Sequence, residues 1–355
     1  MAVETIEVSA NGKWVRVPAL EIRGRYITVK GGWVKTAVIH DEWWLESELE
    51  DPETCVKQLR AQRSHGLRAD LFTFSQKMPG STPKYSYTTE LESVAAARTA
   101  NFKEWWEKLP QETRKNVRRS QKRGVVIRVV EFGDELIEGI AGINNESPMR
   151  QGVPNAHYGK SLEQVKKDHE SFLDRSDFIC AYFENEMIGY MKVVYKGDVA
   201  ALLNLAAKTS HSDKRPANAL IATAAERCAA RGVLYLTYGL FNYGNKRDSP
   251  LREFKSRNGF EEVLTSRYYV PLTSWGTLSM KLGLHCGILG ILPHSLITFG
   301  VDARAKWYNF KQSLSRCSSM LERPNCIRQT ERSNPPAGSN SDSEAVNTRD
   351  GSSQQ

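Results

Sequence analysis

The spacing of apolar and polar positions divides the chain into an N-terminal stretch, a long middle and a polar end. In the first 110 residues, short alternating or β-branched runs at 14–17, 26–29, 33–40 and 70–75 predict strands, because successive strand residues face opposite sides of a sheet. Asp51-Pro52 predicts a helix start. The acid serves as N-cap there, and the proline takes the first helical position, where a missing N–H costs nothing. A further segment, 101–109, carries Trp105 and Trp106 and ends at Pro110.

The middle is richer. Residues 111–123 predict a polar helix closed by Gly124. Residues 125–131 predict a strand, 134–141 a short helix and 144–160 a loop. Ser161 with Gln164 has the form of a capping box, and Leu162, Val165, His169, Phe172 and Leu173 predict one helical stripe. Runs at 178–183, 187–195 and 199–206, separated by tight polar turns, predict an antiparallel meander. Pro216 opens a strongly amphipathic helix (Ala217, Leu220, Ile221, Ala224, Ala225, Cys228) that Gly232 ends. A strand at 233–238, a short helix from Ser249-Pro250 to Asn258-Gly259 and a strand at 261–270 complete the pattern. A crossover joined to antiparallel strands predicts a mixed α/β (α+β) sheet flanked by helices.

This order, together with LPQETRKNVRR at 109–119 and LREFKSRNGF at 251–260 leading to YYVPL at 268–272, resembles the GCN5-related N-acyltransferase (GNAT) fold. More narrowly, it resembles the Fem-like branch, related to peptidoglycan bridge aminoacyltransferases. The resemblance covers 111–272 well and reaches weakly into 1–110, where it implies a second, degenerate lobe of the same fold. The expected organisation is an N-terminal lobe at 1–110, the acyltransferase domain at 111–272, a helical apolar extension at 273–312 and a disordered tail at 313–355.

The resemblance implies that acyl-CoA lies where two strands splay apart and that an amine attacks its carbonyl. The matching stretch is SHSDKRPANA at 210–219, so Lys214, Arg215, Ala217, Asn218 and Ala219 are the expected cofactor-binding residues. A helix start suits a pyrophosphate on general grounds, having unpaired donors and a favourable dipole. The usual Arg/Gln-x-x-Gly-x-Gly/Ala loop is missing, however, and Pro216 removes a donor. Aminoacyl-tRNA therefore stands as the alternative donor, and a non-catalytic binding protein on a degenerate fold as the alternative class. The acceptor expected from the resemblance is an amine of a cell-envelope or sugar precursor.

Acyl transfer needs a base and an acid. Tyr243, just after a strand end, matches the place of the family's acid. His157, in the long loop RQGVPNAHYGK at 150–160, is the preferred base, with Glu253 as another candidate. Arg150, Tyr158, Lys160 and Lys255 are candidate substrate contacts. Arg114, Lys115, Arg118, Arg119 and Lys122 form a basic helical stripe able to follow an RNA backbone. It lacks the interleaved aromatics of a base-stacking platform, and no DNA partner is expected.

Composition adds direction rather than identity. With 49 Lys and Arg against 41 Asp and Glu, the 355-residue chain carries +8, which suits polyanionic partners. The six cysteines contain no Cys-x-x-Cys pair, so reduced thiols and no metal are expected. The stretch GLFNYGNK at 239–246 lacks the lysine and hydroxyl of a P-loop. With no long apolar run and no leader-like N-terminus, a cytoplasmic location is expected, with 278–301 as the segment for peripheral contact with the inner face of a membrane.

Overall fold

Along the chain, a computed structural model forms β1 (Val3–Ala10), β2 (Lys13–Ile22), β3 (Arg25–Lys30), β4 (Thr36–Ile39), α1 (Pro52–Ala61), β5 (Leu71–Ser75), β6 (Thr88–Arg98), α2 (Phe102–Lys108), α3 (Gln111–Lys122), β7 (Val126–Val130) and α4 (Asp134–Asn144). There follow the two-residue strands β8 (Met149–Arg150) and β9 (Val153–Pro154), α5 (Leu162–His169), β10 (Ser176–Phe183), β11 (Glu186–Lys196), β12 (Val199–Ala207), α6 (Pro216–Ala230), β13 (Tyr235–Leu240), α7 (Pro250–Arg257), β14 (Glu261–Pro271) and α8 (Ser274–Lys281). The structure describes residues 3–10, 13–45, 47–62, 67–78, 80, 82–150, 153–242 and 249–286, all within one compact unit, Met1–His294. The expected tail at 313–355 and most of the 273–312 extension lie outside the described residues, α8 being the described part of the latter. Among the described residues no helix is long and apolar enough to cross a membrane.

Twelve strands make one sheet in the order β1-β2-β3-β4-β5-β14-β6-β13-β12-β11-β10-β7. Its connectivity reads the same from either end. Each outer set of antiparallel strands leads to one parallel pair, β4 with β5 and β12 with β13, and then to the central antiparallel pair β14 and β6. The two central strands are exchanged. β6 follows β5 in sequence yet pairs with β13, whereas β14 closes the N-terminal half by pairing with β5. The N-terminal half of the sheet thus repeats the strand connectivity of the C-terminal half.

Local chemistry sets the element ends. Asp51 accepts from the Thr54 N–H to cap α1, Ser161 and Gln164 form the capping box of α5, and Ser249 caps α7. Gly124 and Gly259 take φ values of 81° and 79° after α3 and α7, where a Cβ is disfavoured. On β10, Ile179 and Ala181 face the α6 side, with Leu220, Ala224 and Cys228, while Phe178, Cys180 and Tyr182 face α4 and α5. The N-terminal half has its own core, in which Tyr268 and Val270 of β14 pack with Phe72 and Phe74 of β5.

Two strands, β1 and β6, do not stand out in the sequence pattern. The stripe of α5 also ends sooner than its spacing predicts. Val165 and His169 are buried, but Leu162 and Leu173 are exposed, and Phe172 turns into the left-handed region after the helix ends.

Candidate functional site

The parallel pair of the C-terminal half is short. β12 meets β13 only from Val199↔Tyr235 to Ala201↔Thr237, while its pairing with β11 runs on to Ala207. Among the described residues the edge of β12 toward β13 has no partner strand beyond Ala201. A bulge adds to this. Lys192 lies opposite Asn204 and Val193 opposite Leu202, which makes Leu203 the extra residue and turns the chain locally. Two cavities reach β12 here from opposite faces of the sheet.

The first cavity, about 560 Å³, lies on the α6 side between α3, the start of α6 and α7, and includes Asn116, Arg215, Ala217, Asn218 and Asn258. Arg215 is the N-cap of α6, held at φ 55°, and no side chain caps the helix. That conformation costs a non-glycine residue roughly 1–2 kcal/mol. The equivalent crossover helix of the N-terminal half, α1, is capped by the Asp51 carboxylate, held below its ordinary range by the Thr54 hydrogen bonds. One half therefore closes its helix start with its own anion, and the other leaves it open.

The open start is short of donors. Pro216 has no N–H, and the Asn218 N–H is engaged with the Arg215 carbonyl at 3.2 Å. The N–H groups of Thr209 and Ser210, just ahead, donate to the Glu146 carboxylate at 2.6 and 2.8 Å. Burial pushes Glu146 up, but these bonds and the Ser210 hydroxyl outweigh it and hold the acid below its ordinary range. Of the residues expected to bind a cofactor, Arg215, Ala217 and Asn218 line this cavity, and Asn218 is oriented by Asn258 at 2.8 Å. Ala219 is buried in the core. Lys214 lies over the Phe183 ring, 4.3 Å from its centre, and beside Asp213, which also pairs with Arg123.

The second cavity, about 650 Å³, lies on the α4/α5 side, where the first strands of the N-terminal half face α5 and Leu203 and Asn204 of β12. Asp168, on α5, gathers its polar groups. Its carboxylate accepts from Lys160 at 2.5 Å and from the Trp14 indole at 3.1 Å, and His157 Nδ1 lies 3.9 Å away. Burial, then the Lys160 charge, lowers the His157 pKa from 6.5, so the imidazole is neutral at pH 7 and able to take a proton. Two buried polar atoms of the lining, Thr28 Oγ1 and Asn204 Oδ1, have no hydrogen-bond partner. Orphaned groups in a cavity wall are costly unless a ligand or water meets them.

The other expected residues are dispersed. Arg150 donates to the Ala207 carbonyl at 3.2 Å, which ties the loop to the end of β12. Tyr158 is exposed. Glu253 pairs with Arg257 one turn on at the surface of α7. Lys255 is fully buried, donates to the Leu240 carbonyl and lies 4.5 Å from the Tyr238 ring centre; burial takes its pKa down to about 8. Tyr243 lies outside the described residues. On α3, Lys115, Arg118 and Lys122 are exposed and Arg114 and Arg119 half-buried, while Thr113, Val117 and Ser120 face inward. The first cavity is lined by Glu112, Thr113 and Asn116 of this helix and by none of its five basic residues, and Arg118 lies 5.7 Å from the Trp106 ring centre. Glu146, Asp168, Asn204 and Thr28 carry no signal in the sequence alone, because only the fold brings them to these cavities.

The overall fold is shared with solved structures. FemX superposes with a TM-score of 0.51 at 10% identity, over 79% of this chain and 90% of that one. The chain thus has the fold of FemX. A DUF2156 domain, described as the C-terminal part of a lysylphosphatidylglycerol synthetase from Agrobacterium fabrum, matches with a TM-score of 0.50 at 12% identity, over 76% and 88% of the two chains. No family model and no curated protein matches the sequence. Among the described residues no group of His, Cys, Asp and Glu is placed to hold a metal, and Cys55, Cys180 and Cys228 are free and buried.

Proposed function

We propose that the protein is an acyltransferase that carries an acyl group from a donor in the α6-side cavity to an amine in the α5-side cavity. The observation that carries this reading is that both cavities reach β12 within a few residues of its bulge, Ala207 from one face and Leu203 and Asn204 from the other. The amine proton passes to His157 and the nitrogen attacks the carbonyl. The unpaired edge of β12 offers N–H groups to the oxygen as it becomes negative. The C–N bond forms as the bond to the leaving group breaks, and the leaving oxygen or sulfur takes up a proton. Asn204 Oδ1 is placed to accept from the incoming amine.

The state of the helix start favours an aminoacyl-tRNA as donor. Pro216 and Glu146 together remove the backbone donors that a CoA pyrophosphate would use, while α3, the helix that lends Thr113 and Asn116 to the cavity wall, carries exposed cations elsewhere on its surface. Acyl-CoA is the second reading, favoured by the uncapped α6 and the small Ala217 beside it. The acceptor is then an amine of a cell-envelope or sugar precursor.

Titrating the full chain with CoA, acetyl-CoA and charged tRNA separates the readings. Tight tRNA binding that Arg118→Glu with Lys122→Glu weakens at least tenfold, and a log–log salt slope that falls by about two, support the RNA donor. Micromolar CoA binding lost on Arg215→Ala supports the thioester. A chain that neither binds nor consumes any of these donors is not an acyltransferase.

A further inference from the structure

A third cavity lies away from both substrates' places. It is small, about 200 Å³, and sits where the two halves of the sheet join, under Ser75 of β5, Glu92 of β6, Thr265 of β14 and Thr237 of β13. Val199 also lines it, so it lies at the paired end of β12 and β13, whereas the reaction centre is at the splayed end.

Two lysines from opposite halves enter this cavity, Lys77 and Lys196. Lys196 is 8% exposed; its ammonium donates to the Trp43 carbonyl and lies 5.9 Å from the Trp44 ring centre. The Lys77 ammonium donates to the Glu42 carbonyl. The carboxylates nearby are already engaged. Glu42 accepts from the Ser75 N–H at 2.6 Å and pairs with Arg267 at 3.3 Å, and Glu92 pairs with Arg267 at 3.2 Å and accepts from the Ser75 hydroxyl. Asp198, at the rim, is exposed. Glu42 and Glu48 attract the Lys77 ammonium, whereas Lys196 rests on a neutral carbonyl and a ring face and is repelled by Lys77, so its buried charge is poorly compensated.

We propose that this cavity binds a small oxyanion-bearing metabolite, of the size of a short dicarboxylate, between Lys77 and Lys196. The anion would give Lys196 an anionic partner and add to the attraction that Glu42 and Glu48 exert on Lys77, and it would link the two halves across the central strands. The site's electrostatics agree. Burial, then Lys77 and Arg175, takes Lys196 down to about 7, and burial takes Lys77 down to about 8. Near pH 8 an arriving anion must therefore draw in protons, and at pH 6 both lysines are charged beforehand.

The test is calorimetry on the full chain with malonate and with inorganic phosphate, malonamide serving as the neutral control, in two buffers of different ionisation enthalpy. The expected result is binding of one anion with proton uptake at pH 8 that disappears by pH 6. Malonamide should not bind, and Lys196→Met or Lys77→Met should weaken the anion at least tenfold. Preference for malonate or phosphate identifies the ligand as a carboxylate or a phosphate. The proton count uses the unaltered protein, so a poorly folded variant does not spoil it. No binding of either anion below about 10 mM, or binding without proton uptake, overturns the proposal. The measurement needs no acyl donor, so its outcome is separate from that of the transferase reading.

Discussion

Placing a carboxylate at the open start of α6 should separate stability from donor binding. Ala217 occupies the second position of α6 and lines the α6-side cavity, and the first turn contains no acidic residue. In Ala217→Asp the new acid meets the positive end of the helix dipole, worth about 0.3–1 kcal/mol to the folded state. The same acid repels a donor phosphate. Two unit charges 4 Å apart at an effective dielectric of about 20 oppose each other by about 4 kcal/mol. If screening in the open cavity halves this, about 2 kcal/mol remains, or roughly a 30-fold loss of affinity. Thermal unfolding should therefore show an unchanged or slightly raised Tm, while titration with the donor shows at least a 30-fold weaker Kd. Ala217→Ser, of similar size and uncharged, should leave both within a factor of two or three. Donor affinity unchanged in Ala217→Asp would remove the phosphate from α6. A Tm lowered by several degrees would mean that the helix start is not open as described.

Other expectations follow from the same geometry. His157→Ala should lower the transfer rate by about 10²–10⁴-fold. In the unaltered protein the rate should rise with pH through a value below 6.5 and then level off, since the base works once it has lost its proton; that rising limb should vanish in the variant. Asp177 binds Arg227 at 2.7 Å, Arg231 at 2.9 Å and the Tyr195 hydroxyl at 2.7 Å. Asp177→Ala should therefore cost about 3–5 kcal/mol in chemical denaturation. Burial raises the Asp177 pKa, but its partners outweigh that and hold it below 3.8, so this stability is present at neutral pH and is lost as pH falls through the folded-state value. In Gly259→Ala the left-handed backbone alone costs about 1–3 kcal/mol, and the added Cβ would lie 2.7 Å from the Trp105 indole nitrogen, so a lower Tm is expected.

The sequence is most legible where local chemistry decides the outcome. The caps at Asp51, Ser161 and Ser249, the proline at the start of α6 and the glycines after α3 and α7 act within a few residues, and their spacing is visible in a single chain. The meander of β10 to β12 is similarly plain from its tight turns. β6 is different. Its outer half, Thr88–Glu92 by register with β14, is polar, and its buried part is Val94 and three alanines, so no alternation marks it. It is a central strand because both neighbours come from residues far along the chain. The candidate site divides in the same way. His157, Lys160 and Arg215 can be picked out as polar residues in functional-looking loops, but Asp168 reads as one more charge on a helix. What makes it a centre is Trp14, 154 positions earlier, whose indole donates to it across the cavity. Lys255 fails in the opposite direction. Its position in a recognisable motif says nothing of its burial, which comes from the way α7 packs beside β13 and the Tyr238 ring.

The exchange of β6 and β14 also governs how the chain is able to fold as it is synthesised. β5 and β6, close in sequence, end up separated by β14, which starts only at Glu261, long after β6 ends at Arg98. Until β14 leaves the ribosome, the N-terminal core lacks Tyr268 and Val270, and β5 and β6 each present an unpaired edge to the other across a gap one strand wide. Unpaired edges of this kind invite pairing with other chains. A fragment ending before Glu261 is therefore an aggregation hazard rather than a smaller version of the protein. Among the described residues the last strand to be made is the one that closes both halves, so neither half completes its fold ahead of the other.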